Sequence, residues 1–177
     1  MSKKSSVVTV RLSPEEQQIL ASIEVTDATT ISDKIRRLVQ DAGRRRSAQA
    51  DYSAALGLAQ DWVGHTTNNV ILKEREQGVH SQFLERFGSW LPVALSTYIS
   101  HAEGIVQAAE SNDTAMLQGL EDDLVDQSFR LVETLLQMGL LEDRGCYSTE
   151  AFDRNLSNSL SLAVALQERK AASMKGV

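Results

Sequence analysis

Hydrophobic and polar positions alternate at the start of the chain and then change period. Over Val7–Leu12 the residues Val8, Val10 and Leu12 fall on one face and Val7, Thr9 and Arg11 on the other, the period-two pattern of a β-strand. The alternation stops at Ser13-Pro14-Glu15-Glu16. Ser13 has the chemistry of a helix N-cap, Pro14 suits the first helical position, and Glu16 stands three residues past the cap, where it closes a capping box. Ile19, Leu20 and Ile23 then form one apolar stripe, which ends in the turn-prone stretch Val25–Thr29. Thr30 is the expected cap of a second helix. Its apolar positions Ile31, Ile35, Leu38, Val39 and Ala42 keep helical spacing up to Gly43, placed at the C′ position.

From Ser47 onward the pattern is helical throughout. Tyr52, Ala55, Leu56, Ala59, Trp62, Val63, Thr66 and Val70 predict one long helix to about Gln77, stopped by Gly78. A second helical region runs from Ser81 to Ser111, with Pro92 predicting a kink or a restart after Ser89. A third starts near Asp113 and spaces Leu117, Leu124, Leu131 and Met138 seven apart, backed by Leu120, Val132 and Leu135. The fourth follows the turn Asp143–Tyr147, is capped by Ser148, and buries Phe152, Leu156, Leu160 and Val164. Four amphipathic segments with short connections predict a four-helix bundle, within one chain or shared between subunits.

The fold class is therefore mainly α: one short strand and two helices over residues 1–46, then an all-α bundle over 47–177. No second stretch alternates as Val7–Leu12 does, and a strand with both edges open is not stable in water. The module spans only about 37 residues, a size that usually needs metal, disulfide or oligomerisation. Cys146 is the sole cysteine, which removes an intrachain disulfide and argues against a thiolate metal site. Self-association is what remains. Two copies would lay their strands antiparallel while four helices cover a shared core of Val8, Val10, Leu12, Ile19, Ile23, Ile35, Leu38 and Val39.

In this order of elements, VTVRLSPEE followed by TTISDKIRRLVQDAG resembles the ribbon-helix-helix family of DNA-binding proteins, the MetJ, Arc and CopG type, over roughly the first 45 residues. The resemblance implies an obligate dimer whose two-stranded ribbon enters the major groove of double-stranded DNA. By position it assigns base contacts to Val7, Thr9 and Arg11. Arginine grips guanine O6 and N7 with two bonds, threonine offers a hydroxyl or a methyl, and valine touches only a methyl. Many family ribbons present three polar residues there, so Val7 is a departure. The first turn of the second helix, Thr30, Ile31 and Ser32, would meet a phosphate, with Asp33 pointing away. Lys3 and Lys4 would add sequence-independent attraction to the backbone.

Charge supports such a division of labour. The net charge of −6 hides an asymmetry, +3 over residues 1–50 against −9 over the rest. Arg44, Arg45 and Arg46 read either as a further DNA contact or as a solvated hinge, and Arg11 has the plainer alternative of a solvated edge residue. Arg36 and Arg37 read as helix-surface partners of Asp33 and Asp41. Glu121, Asp122, Asp123 and Asp126 read as a solvated face, and His65, His80 and His101 lack metal-ligand spacing. Trp62, Phe83, Phe87, Trp90 and Tyr98 suffice to line an effector pocket, but they are also what a bundle core requires.

No nucleophile motif, phosphate loop, cofactor signature or catalytic His/Asp pairing is present, so neither an enzyme nor a cofactor is expected. No apolar run approaches a membrane span, and MSKKSS leads into a strand instead of a signal-peptide core, so a cytoplasmic location is expected. The expected function is sequence-specific DNA binding as a homodimer or tetramer, most simply as a transcriptional repressor. Alternatives are a plasmid-transfer accessory or partition protein, and, less favoured, an antitoxin with a protein partner.

Overall fold

The computed structural model describes residues 9–23, 30–108, 114–141 and 145–175. Among them are seven helices and no strand: α1 (Pro14–Ser22), α2 (Ile31–Ala48), α3 (Tyr52–Gln77), α4 (Gln82–Ser100), α5 (Ala102–Ala108), α6 (Ala115–Met138) and α7 (Thr149–Lys175). The chain divides into two units, residues 1–46 and 47–177.

In the first unit the helix starts follow the local chemistry. The Ser13 hydroxyl accepts from Glu16 N–H at 3.2 Å while the Glu16 carboxylate accepts from Ser13 N–H at 2.7 Å, the two halves of a capping box. Thr30 Oγ1 likewise accepts from Asp33 N–H at 3.1 Å. The helix pair is tied by Lys34, whose ammonium donates to the carbonyls of Leu20 and Ala21 at 2.9 and 3.2 Å. That places a cation on the C-terminal carbonyls of α1, which lack partners within their own helix. Thr9–Leu12 forms no strand within the single chain, and the strand expected there is one that pairs with a second copy; Val7 and Val8 lie outside the described residues. α2 does not stop at Gly43, which corrects the sequence expectation. It continues to Ala48, with Asp41 paired to both Arg37 and Arg44 across that point. A helical glycine costs only about 1 kcal/mol, which the arginine-rich turn that follows can offset.

In the second unit α4 packs against α3 and α6, and the short α5 also leans on α6. α3 starts on the Asp51 cap, whose carboxylate accepts from Ala54 N–H at 2.7 Å, and ends at Gly78 in the left-handed region, φ 66°. Only a residue free of Cβ adopts that conformation without penalty. α4 runs through Pro92, so of the expected kink or restart the restart does not occur; the chain breaks at His101, whose Nδ1 lies 2.8 Å from Thr97 O. The serine and threonine after the proline fold back on Val93 O, Ser96 Oγ at 2.8 Å and Thr97 Oγ1 at 3.1 Å, and both residues are buried with Pro92. Tertiary packing therefore holds the helix where local propensity alone would end it. Residues 109–113 and 142–144, on which the expected ends at Ser111, Asp113 and Asp143 fall, lie outside the described residues.

Large apolar side chains are poorly covered. Among the described residues, the buried apolar set of this unit is Ala48, Ala55, Ala59, Leu120 and Met138. Leu117 in the expected seam is exposed, as are Leu160 and Val164, which the pattern placed in the core. Among the described residues, no helix is long and apolar enough to cross a membrane.

Candidate nucleic-acid interface

The segment leading into α1 presents Thr9 and Arg11 to solvent, with Leu12 half-buried. Its exit is fixed by the capping box and by Gln17 Nε2, which donates to Leu12 O at 3.2 Å. The Ser13 backbone N–H, assisted by its hydroxyl, holds the Glu16 carboxyl below its usual range. Arg11 therefore stands two residues from a cap held in place by two hydrogen bonds. Lys3 and Lys4, like Val7, lie outside the described residues.

At the start of α2, Thr30, Ile31 and Ser32 are all exposed. The Thr30 hydroxyl also donates to Asp33 Oδ2 at 2.6 Å, and Asp33 Oδ1 accepts from Arg36 at 3.2 Å. Asp33 thus turns back onto the cap instead of away from it. A phosphate arriving here would meet the first-turn N–H groups with a carboxylate already beside them, so Arg36 is needed to balance the charge. Further along, Arg37 and Arg44 share Asp41, while Arg45 and Arg46 are exposed in the last turn, where cations suit the helix dipole.

The expected dimer-core residues are uncovered in the single chain. Val10, Ile19 and Val39 are 57, 55 and 66% exposed, Leu38 is also exposed, and Leu12, Ile23 and Ile35 are half-buried. α1 buries no residue at all. Val8 lies outside the described residues.

The second unit holds two further features. A cavity of about 440 Å³ lies between the start of α4, the C-terminal half of α6 and the first half of α7, lined by Phe83, Leu84, Leu136, Phe152, Leu156 and other mostly apolar side chains. Beside it, Glu74 joins three segments: its Oε1 accepts from Tyr147 OH at 2.7 Å and Ser81 N–H at 2.9 Å, and its Oε2 lies 3.3 Å from His80 Nδ1. The Tyr147 hydroxyl is the main reason that the Glu74 carboxyl sits below its usual range. In turn desolvation, then Glu74, pushes the Tyr147 phenol up. Gln82 N–H donates to Gly145 O at 2.7 Å, closing the same corner, and Gly145 takes φ 54° with Gln82 so near that a Cβ would stand 2.9 Å from its Cγ. The pairing of Glu74 with Tyr147, far apart in the chain, left no signal in sequence spacing, and neither did the Lys34 tie.

Of the aromatics considered for an effector pocket, only Phe83 lines the cavity. It stacks on Phe87 at 6.0 Å, Phe87 meets Trp90 at 5.8 Å, and Trp90 Nε1 donates to Gln127 O at 2.8 Å; Trp62 and Tyr98 are exposed. Among the described residues, no group of histidine, cysteine, aspartate and glutamate could hold a metal ion. His80 lies between Glu74 and Glu85, and His101 lies 3.5 Å from Asp123. No protein-family model, curated protein or solved structure matches the chain.

Proposed function

We propose that the chain binds double-stranded DNA as a dimer, in the manner of the ribbon-helix-helix family that its first residues resemble, and acts as a sequence-specific transcriptional repressor. The observation that supports this most is the state of the first unit: two well-capped helices, tied by Lys34, that leave Val10, Ile19 and Val39 more than half exposed. Such a unit is half a core. A second copy would complete it and would pair the segment Val7–Leu12 with its twin, directing Thr9 and Arg11 to base edges. Lys3 and Lys4, with the turn Thr30–Ser32, would meet the phosphates.

Selection of bound sequences from random duplexes tests the proposal. The wild type should enrich a palindromic site, and Arg11→Ala should lose about 1–3 kcal/mol of discrimination. Lys3→Ala with Lys4→Ala should weaken all sequences alike and flatten the salt dependence. Equal binding of the selected site and random DNA by wild type and variants would refute it.

A second reading keeps the DNA contact and changes its purpose. The second unit exposes long apolar helix faces suited to building larger assemblies, as a plasmid-transfer accessory or partition protein needs. Sequencing the DNA captured from cells separates the two, because promoters favour the repressor and origins or centromere-like sites favour the alternative. An antitoxin is less well supported, since toxin-binding tails are usually short and disordered until bound, whereas the second unit carries the long helices α3, α4, α6 and α7. A soluble protein co-purifying in fixed ratio would revive it.

A further inference from the structure

The cavity of about 440 Å³ between α4, α6 and α7 is apolar in a specific way. Phe83, Phe152 and Leu156 are half-buried in its floor, and Val132 and Leu136 stand exposed at its rim. Among the described residues, none of those lining it is charged and none is a histidine. The polar groups of the wall are engaged with their own chain. Tyr147 OH donates to Glu74 Oε1 at 2.7 Å, Ser159 Oγ to Asn155 O at 2.9 Å, and Asn155 Nδ2 to Ala151 O at 2.8 Å. Ser81 Oγ accepts from Leu84 N–H at 3.2 Å. The surface left to a guest is therefore the aromatic and aliphatic one.

The walls are also held in place by the chain itself. Glu74 fixes both Tyr147 and the Ser81 N–H, Gln82 N–H donates to Gly145 O at 2.7 Å, and Leu156 closes over Gly139. Small-molecule sites are concave, largely preformed and mostly apolar, with volumes of about 300–1,000 Å³. A charged guest would give up its hydration here and meet no counter-charge, whereas a neutral apolar one would only leave water. We infer that the cavity binds a neutral, predominantly apolar small molecule, held against Phe83 and Phe152. A helix from a second copy is a poorer occupant: with side chains it is about 10–12 Å across, and the corner at Cys146–Ser148 walls off the end of the cavity where α7 begins. The bound molecule would touch α4, α6 and α7 at once, and so tie the first half of α7 to the other two helices.

Calorimetric titration of the full chain tests this with three probes that share one ring system: neutral 2-naphthalenemethanol, the anion 2-naphthoate and the cation 2-naphthylmethylammonium. The alcohol should bind at one equivalent per chain, and each ion at least about tenfold more weakly. Nuclear Overhauser contacts from the naphthyl protons should reach the methyls of Val132 and Leu156, and not those of Leu162, which is exposed on α7 outside the cavity. Ala151→Trp fills the cavity from α7 and should abolish uptake; if it loses helical circular dichroism, Val132→Trp fills the cavity from the α6 side. Leu162→Ala should bind as the wild type does. Absence of alcohol binding, ions bound as tightly as the alcohol, or contacts confined to Leu162 and its neighbours would overturn the inference. So would an affinity that falls as chain concentration rises, because a second copy would then be the occupant. None of these readings involves DNA, so failure of the operator selection would leave the result standing.

Discussion

Ser13 and Glu16 show what single side chains contribute. Each satisfies a backbone N–H of the other at the point where the chain enters α1, and the serine-to-glutamate spacing makes the motif legible without a structure. Ser13→Ala should cost about 1 kcal/mol, read as a lowered urea midpoint. Glu74 makes the contrasting case, because its partner Tyr147 lies on a segment that no local pattern links to α3. Here pH separates the roles. The Glu74 carboxyl titrates below its usual range when folded, so its contribution is present above about pH 4.3 and disappears as pH falls through the folded value. The Tyr147 phenol is raised, so its contribution holds up to about pH 10 and is lost above its folded value. Thermal midpoints of wild type and Tyr147→Phe should therefore differ most near neutrality and converge in acid. A difference that stays constant from neutrality into acid would mean that the phenol does not act through the carboxylate.

Two glycines with similar sequence signals behave differently as parts of helices. Both Gly43 and Gly78 follow apolar stripes and both read as stops, yet Gly78 is a left-handed terminus and Gly43 lies inside α2 with open space around it. Substitution by alanine should thus have opposite signs. Gly78→Ala forces a Cβ into the left-handed region and should destabilise by about 1–2 kcal/mol. Gly43→Ala should stabilise by about 0.5–1 kcal/mol, because alanine restricts the unfolded chain and meets nothing in the helix. Urea titration of the two variants checks both signs. The sequence did not distinguish them because a glycine reports permission for a left-handed turn, not its use. Pro92 is the same lesson reversed: the missing N–H was visible, but the packing that carries α4 past it was not. Helix existence was legible nearly everywhere from period; which apolar faces stay open was not, since Leu160 and Val164 repeat as regularly as buried residues do.

At the scale of the whole molecule, both units leave apolar residues in water at positions where a pattern expected a core. The first exposes Val10, Ile19 and Val39, the second Leu160 through Leu166 on α7, and neither set is scattered singly as ordinary surface leucines are. If a second copy buries that surface, folding and association are one process, and the thermodynamic consequence can be measured without DNA. If two chains fold together, each tenfold increase in chain concentration adds about 1.4 kcal/mol to the stability of the pair. The thermal midpoint should rise steadily with concentration, and Ile19→Glu or Leu160→Glu should lower it most at dilute concentrations. A midpoint independent of chain concentration, with a monomeric mass in sedimentation, would remove the second copy from both units together. If instead Leu160→Glu abolished the dependence and Ile19→Glu did not, association would belong to α7 alone, and the paired-strand reader would lose its support.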